Sequence, residues 1–360
     1  MKIGVLGSGA GGTAVAFDWS AHGHDVFLFD FQQFPDNVAR IAASGRIEAE
    51  GDLEGSAPIA YAGHEVETVM SEADIVFVVG PAFAVRPFAS ACAPFLETGQ
   101  EIVVCPGSTG GALAFKHEAG LDLASDEVRV SETSTLPYAV RLTTPGHIRV
   151  FLKLGGGFFV ATLPARHTNH TLALLHEVYP GLEPARNVLQ TTLQNANPVI
   201  HPVVTLLNAA LLERTGGDFL FYEEGVTPAV GRLIEAVDQE RIALGKALGI
   251  EVVSDPELGM RQGYMTQSSY EDGYTTAPGF QGIKAQSSLE HRYLNEDVGY
   301  GLVFLAELGH EFGVATPIMD SVIALTSRLM SRDYRAEATH TPASLGIAGL
   351  GTPALQALVS

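Results

Sequence analysis

Short apolar runs alternate with helical patterns along the first 135 residues of the chain. The predicted strands are Lys2–Leu6, Asp25–Asp30, Asp74–Val79, Glu101–Cys105 and Val128–Thr133. The predicted helices between them are Ala10–Ala21, Asp36–Ala43, Ala84–Phe95 and Gly110–Glu118. Continuous apolar strands separated by helices are typical of a parallel sheet that is covered on both faces. Since such crossovers are right-handed, the pattern predicts a doubly wound α/β fold.

The pattern changes between residues 138 and 163, where no helix separates the apolar runs. Tyr138–Leu142 and His147–Leu154 flank a Thr-Thr-Pro-Gly stretch, which favours a turn and therefore a hairpin. Phe158–Leu163 then resumes as a strand after three consecutive glycines. We expect these segments to extend the first sheet with antiparallel strands.

After about Pro184 the strand pattern disappears, and apolar residues recur at three- and four-residue spacing. The predicted helices are Pro198–Arg214, Pro228–Leu248, Val298–Phe312 and Pro317–Met330. Prolines at three of these starts suit the first turn of a helix. The sequence therefore predicts an α/β domain over residues 1–184 and an all-α domain over 185–360. Residues 254–286 show no clear periodicity, and we expect an irregular segment that covers the substrate.

Composition and charge narrow the class of protein. A chain of 360 residues has room for two domains at about 150 residues each. Lys and Arg number 21 against 41 Asp and Glu, a net charge of −20, which argues against nucleic-acid binding because phosphate contacts need a basic face. The N-terminal residues lack a signal-peptide pattern, and no apolar window is long enough for a membrane span, so we expect a cytoplasmic protein. Two cysteines are too few for a zinc site or a disulfide framework, and we expect no metal.

A glycine-rich motif joins the first predicted strand to the first predicted helix. The stretch Gly7-Ser8-Gly9-Ala10-Gly11-Gly12 contains the spacing Gly-x-Gly-x-x-Gly. Gly7 would permit the tight turn, Gly9 would let a pyrophosphate approach the backbone, and Gly12 would let the helix pack on the strand. The pyrophosphate would lie at the helix N-terminus, where free N–H groups favour negative charge. The motif predicts a Rossmann-type dinucleotide site that includes Ser8 and Ala10.

Three further positions complete the predicted cofactor site. Asp30 ends the second strand, where a carboxylate can bond both ribose hydroxyls and would repel the 2′-phosphate of NADP. The next three residues, Phe31, Gln32 and Gln33, offer no cation for that phosphate, so we expect NAD rather than NADP. Pro81 and Ser108 follow the third and fourth strands, whose carboxyl ends should line the cofactor cleft.

The helical half carries an unusual polar stripe. Asn197, His201, Thr205 and Asn208 share one face of a helix that is otherwise apolar. Such a stripe makes sense if it faces a cleft between the domains, although a buried histidine bonded to a carbonyl is the alternative. Farther along, Arg292 could clamp a carboxylate bidentately, and Asp297 could cap the following helix or pair with a histidine.

Six motifs together resemble the opine dehydrogenases, the octopine/nopaline dehydrogenase family. They are Gly-Ser-Gly-Ala-Gly-Gly, Pro-Gly-Ser-Thr-Gly-Gly-Ala-Leu, Ser-Glu-Thr-Ser, Asn-Ala-Asn-Pro-Val-Ile-His-Pro, Tyr-x-Glu-Gly-Val-Thr-Pro and Arg-Tyr-x-x-Glu-Asp-Val. The resemblance runs over almost the whole chain. It implies an enzyme that couples the amino group of an amino acid to a 2-oxo acid, pyruvate by default, and reduces the imine with NAD(P)H.

The resemblance also implies roles for individual residues. His201 matches the catalytic histidine of the family, and Asp297 matches the aspartate that is paired with it. Arg292 matches the substrate-binding arginine, and Asn197 matches a polar residue beside the histidine. Thr133, in the Ser-Glu-Thr segment, falls more loosely in the region that approaches the oxo acid.

Two other functions remain open from the sequence. Another two-domain dehydrogenase, such as a 2-oxo or 3-hydroxy acid reductase or a glycerol phosphate dehydrogenase, would by resemblance use a helical-domain lysine. Lys246 and Lys284 are the only lysines after position 153. A nucleotide-binding sensor without turnover would keep the fold alone.

The sequence does not identify the amino acid substrate or the oligomeric state. A basic substrate would need acids, for which Glu132, Glu223 and Glu296 are candidates. A small or apolar amino acid is equally possible as the substrate, because the irregular segment contains three tyrosines. They are Tyr264, Tyr270 and Tyr274. The apolar helices of the second half fit either a homodimer interface or a core.

Overall fold

The chain forms two structural units in the computed structural model, which describes residues 1–360. The first unit comprises Met1–Thr191 and Leu358–Ser360, and the second comprises Thr192–Ala357. None of the helices combines the length and the apolar composition that crossing a membrane requires.

An eight-stranded sheet forms the centre of the first unit. Its strands are β1 (Lys2–Leu6), β2 (Asp25–Phe29), β5 (Tyr61–Gly63), β6 (Ile75–Val78), β7 (Glu101–Val104), β8 (Arg129–Thr133), β11 (Phe158–Leu163) and β12 (Leu182–Pro184). They lie side by side in the order β12-β11-β8-β7-β6-β1-β2-β5. The six strands from β8 to β5 are mutually parallel, and β11 joins β8 in the antiparallel direction. The prediction of a doubly wound parallel sheet with an antiparallel extension is confirmed.

Helices connect the parallel strands of the first unit. They are α1 (Ala10–Ala21), α2 (Pro35–Ser44), α3 (Val66–Glu72), α4 (Val85–Cys92), α5 (Gly111–Glu118) and α6 (Thr168–Leu175), followed by α7 (Val188–Leu193). All four residues of β6 and all four of β7 are buried, as expected for strands covered on both faces. The carboxyl ends of β1, β6, β7 and β8 therefore lie side by side at one edge of the sheet.

The predicted hairpin does not extend this sheet, so that expectation is wrong. Strands β9 (Tyr138–Thr144) and β10 (His147–Lys153) belong to a separate four-stranded sheet with β3 (Arg46–Gly51) and β4 (Gly55–Pro58). Ile148 and Val150 of β10 are buried, whereas their neighbours are exposed or half-buried. A strand with only one apolar face cannot take a place that is covered on both sides. Only Phe158–Leu163, which is buried at every position, joins the main sheet.

The second unit is helical, as predicted. Its elements are α8 (Asn197–Leu207), α9 (Ala209–Thr215), α10 (Pro228–Ala247), α11 (Asp255–Gln262), α12 (Arg292–Asn295), a π-helix (Asp297–Leu302), α13 (Val303–Glu311), α14 (Pro317–Leu329) and α15 (Thr352–Val359). Prolines occupy the first turns of α8, α10 and α14, which confirms that prediction. The helix predicted over 198–214 is interrupted at Asn208, whose amide donates to the carbonyls of Val204 and Gly225 at 2.9 Å each. The stretch 254–286, expected to be irregular, begins with the regular helix α11.

A buried ionic cluster ties α10 to the segment that follows it. Arg241 and Asp238 are fully buried and paired, and Nη2 of Arg241 also donates to the carbonyl of Val253 at 2.9 Å. The backbone N–H of Asp255 donates to Asp238 at 2.8 Å, and the hydroxyl of Tyr274 donates to the Asp255 carboxyl group. Burial raises the pKa of Asp255 to about 7, with a further contribution from Asp238.

Candidate active site

The glycine motif forms the loop between β1 and α1. Gly7 has φ of +109°, and a Cβ atom there would lie 2.1 Å from the carbonyl oxygen of Val79. A Cβ on Gly12 would lie 1.8 Å from the carbonyl oxygen of Gly7. A Cβ on Gly9 would meet no atom within 4 Å. Two glycines are therefore required by close packing, whereas Gly9 leaves open space beside the loop.

Asp30 fastens the end of β2 to this loop. Its Oδ2 atom accepts hydrogen bonds from the backbone N–H and the hydroxyl of Ser8, both at 2.7 Å. Its Oδ1 atom accepts from the backbone N–H of Phe31 at 2.8 Å. Asn37, on α2, also contacts the loop by donating to the carbonyl of Ser8 at 2.5 Å, and it donates to the hydroxyl of Thr13 on α1 at 2.9 Å. The carboxylate is thus held against the glycine loop, and further acceptor positions on its oxygens can serve ribose hydroxyls.

The other predicted positions of the first unit follow neighbouring strands. Pro81 lies after β6 and is half-buried. Ser108 lies after β7, is buried and has φ of +52°. Thr133 ends β8, is 2% exposed, and donates its hydroxyl hydrogen to the carbonyl of Thr135 at 2.9 Å. The three positions share the carboxyl edge of the sheet with the glycine loop, as the sequence predicts for a dinucleotide site.

In the second unit, His201 and Asp297 form a buried pair. His201 lies on the second turn of α8, and its Nδ1 atom is 2.8 Å from Oδ2 of Asp297, the first residue of the π-helix. The exposed fractions are 7% for His201 and 3% for Asp297. Because an aspartate carboxylate accepts hydrogen bonds, Nδ1 of the imidazole donates. Nε2 is then the nitrogen at which His201 can exchange a proton.

Close packing of the π-helix on α8 permits this pair. A Cβ atom on Gly301 would lie 2.5 Å from Cγ of Pro198, so only glycine allows the two elements to approach this closely. The helix predicted over 298–312 starts with this π-helical stretch and continues as the α-helix α13. Such π-helical turns occur frequently at functional sites.

Two tyrosines that sequence reasoning did not assign complete the surroundings of His201. The hydroxyl of Tyr222 lies 3.1 Å from Nε2 of His201. The ring of Tyr293 stacks on the imidazole, with a centroid distance of 3.9 Å and an interplanar angle of 19°. Both tyrosines occur in motifs shared with the opine dehydrogenases, and this was the only feature of the sequence that pointed to them. Neither could be placed on the histidine without the fold, because they lie 21 and 92 positions from it.

Arg292 and Asn197 lie close in sequence to the members of this cluster. Arg292 precedes Tyr293 at the start of α12, and its Nε atom is 2.9 Å from Oε2 of Glu296. Its side chain is 47% exposed. Asn197 starts α8 one turn before His201 and is half-buried.

The rest of the predicted polar stripe makes bonds inside the second unit. The hydroxyl of Thr205 accepts a hydrogen bond from Gln286 at 3.1 Å, and Asn208 bonds backbone carbonyls at the end of α8. The reason for these two polar residues is thus local hydrogen bonding. Neither lysine of the alternative enzyme class is buried, since Lys246 is exposed and Lys284 forms a surface ion pair with Asp218 at 2.6 Å.

The three acids considered for a basic substrate all have partners. Glu132 accepts hydrogen bonds from the N–H of Ala112 at 2.7 Å and from the hydroxyl of Thr191 at 2.5 Å. Glu223 accepts from the N–H of Gly282 at 2.7 Å, and Glu296 pairs with Arg292.

Comparison with known proteins gives matches in both halves of the chain. Residues 184–330 match the family model described as NAD/NADP octopine/nopaline dehydrogenase, alpha-helical domain. Residues 2–112 match that of the NAD-dependent glycerol-3-phosphate dehydrogenase N-terminus. An opine dehydrogenase from Arthrobacter sp. (strain 1C) is 36% identical over 356 residues, which cover 99% of this chain and 98% of that protein. Octopine dehydrogenase from Pecten maximus is 23% identical over 76% of this chain and 74% of its own length.

Solved structures share the fold. Octopine dehydrogenase in complex with NADH and agmatine has a TM-score of 0.81 at 19% identity, covering 100% of this chain and 98% of that one. A D-mandelate dehydrogenase with NADH has a TM-score of 0.61 at 14% identity, covering 92% and 99%.

Proposed function

Because this chain belongs to the opine dehydrogenase family, we propose that it joins the amino group of an amino acid to a 2-oxo acid and reduces the product with NADH. The amine adds to the carbonyl and water leaves, which gives an imine. Addition of hydride to the imine carbon and of a proton to nitrogen then gives a secondary amine that carries two carboxylates. The enzyme is an oxidoreductase that acts on a CH–NH group, and the reverse oxidation uses NAD. The buried His201–Asp297 pair is the observation that carries this proposal.

We assign proton transfer to His201. Asp297 takes the hydrogen bond from Nδ1, which orients the ring and leaves Nε2 to exchange a proton with the substrate. A protonated imidazole polarises the carbonyl of the 2-oxo acid, and a neutral one takes the proton of the secondary amine during oxidation. Histidine suits both directions because its ordinary pKa lies near neutrality.

We assign substrate positioning to Arg292, Asn197 and Thr133. The guanidinium of Arg292 can hold a substrate carboxylate with its terminal nitrogens, since Glu296 contacts Nε. Asn197 offers an amide one turn from His201. The hydroxyl of Thr133 would keep its local bond to Thr135 and offer its lone pairs to the oxo acid.

The first unit fits a nicotinamide dinucleotide. The open space beside Gly9 and the N–H groups that begin α1 suit a pyrophosphate held by Gly7, Ser8, Gly9, Ala10 and Gly12. Asp30 would bond the ribose hydroxyls and disfavour a 2′-phosphate, so we propose NAD rather than NADP. Pro81 and Ser108 would line the path toward the nicotinamide. When bound, the dinucleotide supplies the hydride, and the chain supplies binding, orientation and proton transfer.

The substrate preference follows from the acids that are already engaged. A guanidinium or ammonium side chain needs a carboxylate, yet each of the three considered acids is bonded to a backbone N–H, a threonine or an arginine. We therefore propose that the enzyme prefers neutral amino acids over arginine.

Both cysteines are unpaired and buried, which suits the reducing cytoplasm where we place the reaction.

A rate assay tests the proposed function. NADH oxidation is followed with a 2-oxo acid alone, an amino acid alone, and both together, over pyruvate, glyoxylate and 2-oxoglutarate. We expect oxidation only when both are present, faster with neutral amino acids than with arginine, and slower with NADPH. Oxidation with the oxo acid alone would instead indicate a 2-oxo acid reductase, and NADH binding without any turnover would indicate a sensor.

A further inference from the structure

The atom through which His201 exchanges its proton already has a partner inside the second unit. Nε2 of His201 lies 3.1 Å from the hydroxyl of Tyr222, and Nδ1 is taken by Asp297. The ring is thus fixed at both nitrogens, and Tyr293 stacks on its face at 3.9 Å. Nothing in the sequence motifs or in the family resemblance gives Tyr222 a role.

The position of Tyr222 is itself fixed. Its side chain is 6% exposed, and its ring stacks on Phe280 with a centroid distance of 4.1 Å and an interplanar angle of 13°. Phe280 stacks in turn on Tyr264 at 5.1 Å, so a stack of aromatic rings supports the phenol. Burial raises the pKa of Tyr222 well above its ordinary range, with neighbouring Tyr293 contributing next. The phenol therefore stays protonated.

A protonated hydroxyl suits both states of the histidine. When Nε2 carries no proton, the Tyr222 O–H donates to it. When Nε2 is protonated, the hydroxyl rotates and accepts the N–H through an oxygen lone pair. In both states, Nε2 and the Tyr222 hydroxyl are hydrogen-bonded to each other. A buried polar group without a partner would carry its full desolvation cost.

We propose that Tyr222 is the positioning residue that holds Nε2 of His201 in both of its protonation states, before and after the substrate bonds to that nitrogen in its place. Asp297, His201 and Tyr222 then act as one hydrogen-bonded unit, with the carboxylate at Nδ1 and the phenol at Nε2. The proposal rests on the proposed function, because it assigns Tyr222 to the proton transfer of that reaction.

Tyr222→Phe tests the proposal by removing one oxygen atom while it keeps the stacked ring. We expect kcat to fall by about ten- to thirtyfold, the size of effect expected for one lost hydrogen bond at a proton-transferring group. The KM for NADH should stay within about twofold, since the glycine loop belongs to the other unit and no bond to it is lost. A solvent deuterium isotope effect on kcat should rise, because proton transfer becomes slower.

Tyr334→Phe is the matched control. It removes another buried tyrosine hydroxyl of the same unit, which donates to Oδ1 of Asn295 at 2.8 Å rather than to the histidine. We expect a lower Tm with kcat within about twofold of the unaltered enzyme. Equal kcat losses in both variants, or an unchanged kcat in Tyr222→Phe, would overturn the proposal.

A second measurement does not depend on turnover. In protein labelled with ¹⁵N-histidine, the His201 signals are assigned by their absence in His201→Gln. We expect Tyr222→Phe to move the Nε2 resonance of His201, and Tyr334→Phe to leave it in place. An unmoved resonance would contradict the contact. If the unaltered enzyme shows no amine-dependent NADH oxidation, the proposed function fails, and the proposed part of Tyr222 in proton transfer fails with it. The spectrum then still shows whether Tyr222 holds Nε2 of His201.

Discussion

Oδ2 of Asp297 lies 2.8 Å from Nδ1 of His201, although 96 positions separate the two residues in the chain. The carboxylate fixes which nitrogen carries the proton, so that Nε2 is left to react. Asp297→Asn keeps the shape but allows the amide to donate, which favours the wrong tautomer. We expect kcat to fall by about 10²- to 10⁴-fold in steady-state assays, with little change in NADH affinity.

Asp320→Asn is the control for this change. Asp320 forms ion pairs with His310 and Arg335 on half-exposed side chains of the same unit. Its replacement should leave kcat within about twofold, as expected for surface pairs. A fully active Asp297→Asn variant would contradict the assignment of the pair to proton transfer.

Replacing Arg292 should weaken substrate binding. Arg292→Gln removes the guanidinium, and we expect the KM of a carboxylate substrate to rise by about 10- to 100-fold. Arg292→Lys should recover little of this, because an ammonium cannot bind a carboxylate bidentately. Arg261→Gln breaks an exposed ion pair of the same i,i+4 spacing and serves as the control, with unchanged KM. Equal KM values for the Arg292→Gln variant and the unaltered enzyme would rule out the assignment.

Two glycines of the loop should respond differently to alanine. A methyl group on Gly9 meets no protein atom within 4 Å, so Gly9→Ala should keep the Tm and weaken NADH binding, measured by calorimetry. A methyl group on Gly12 would lie 1.8 Å from the carbonyl oxygen of Gly7. Gly12→Ala should therefore destabilise the fold by about 1–3 kcal/mol. Unchanged NADH affinity in the Gly9→Ala variant would mean that no pyrophosphate lies beside this residue.

The stability of the second unit should depend on pH through Asp255. Burial raises its pKa from 3.8 to about 7, so between these two pH values the folded protein holds a proton that the unfolded chain has released. This contribution to stability is present at low pH and is lost as the pH rises toward about 7. Asp255→Asn cannot ionise, and its free energy of unfolding should decline less between about pH 5 and pH 8, by roughly 2–3 kcal/mol.

Glu257→Gln controls for this experiment, since Glu257 is an exposed carboxylate on the same helix. Denaturant unfolding of the three proteins at both pH values gives the comparison. Parallel pH dependence in the Asp255→Asn variant and the unaltered protein would show that Asp255 is ionised in the fold.

The sequence predicts most of the elements that build the site. Continuous apolar runs located the parallel strands, and the glycine spacing located the dinucleotide loop. The second sheet was not predicted, because β3 reads Arg-Ile-Glu-Ala-Glu-Gly and its pattern is only half apolar. The position of the hairpin depended on this unseen partner, with which β10 pairs in parallel.

Within the helical unit, the limits were different. The motifs pointed to His201, Arg292 and Asp297, and spacing on one helix could not show that Tyr222 and Tyr293 surround the imidazole. That arrangement brings together segments that are far apart in the chain. The Asp297 part of it depends on the close approach of the π-helix to Pro198, which the absence of a side chain at Gly301 allows.

Isotope tracing of the product tests the central claim most directly. The enzyme is supplied with pyruvate, a neutral ¹⁵N-amino acid, and NADH in which the transferred hydrogen on C4 of the nicotinamide is deuterium. The product is examined by mass spectrometry and NMR. We predict a secondary amine that keeps ¹⁵N and carries one deuterium on the carbon of the former carbonyl. A deuterated 2-hydroxy acid, with all ¹⁵N still in the free amino acid, would contradict it.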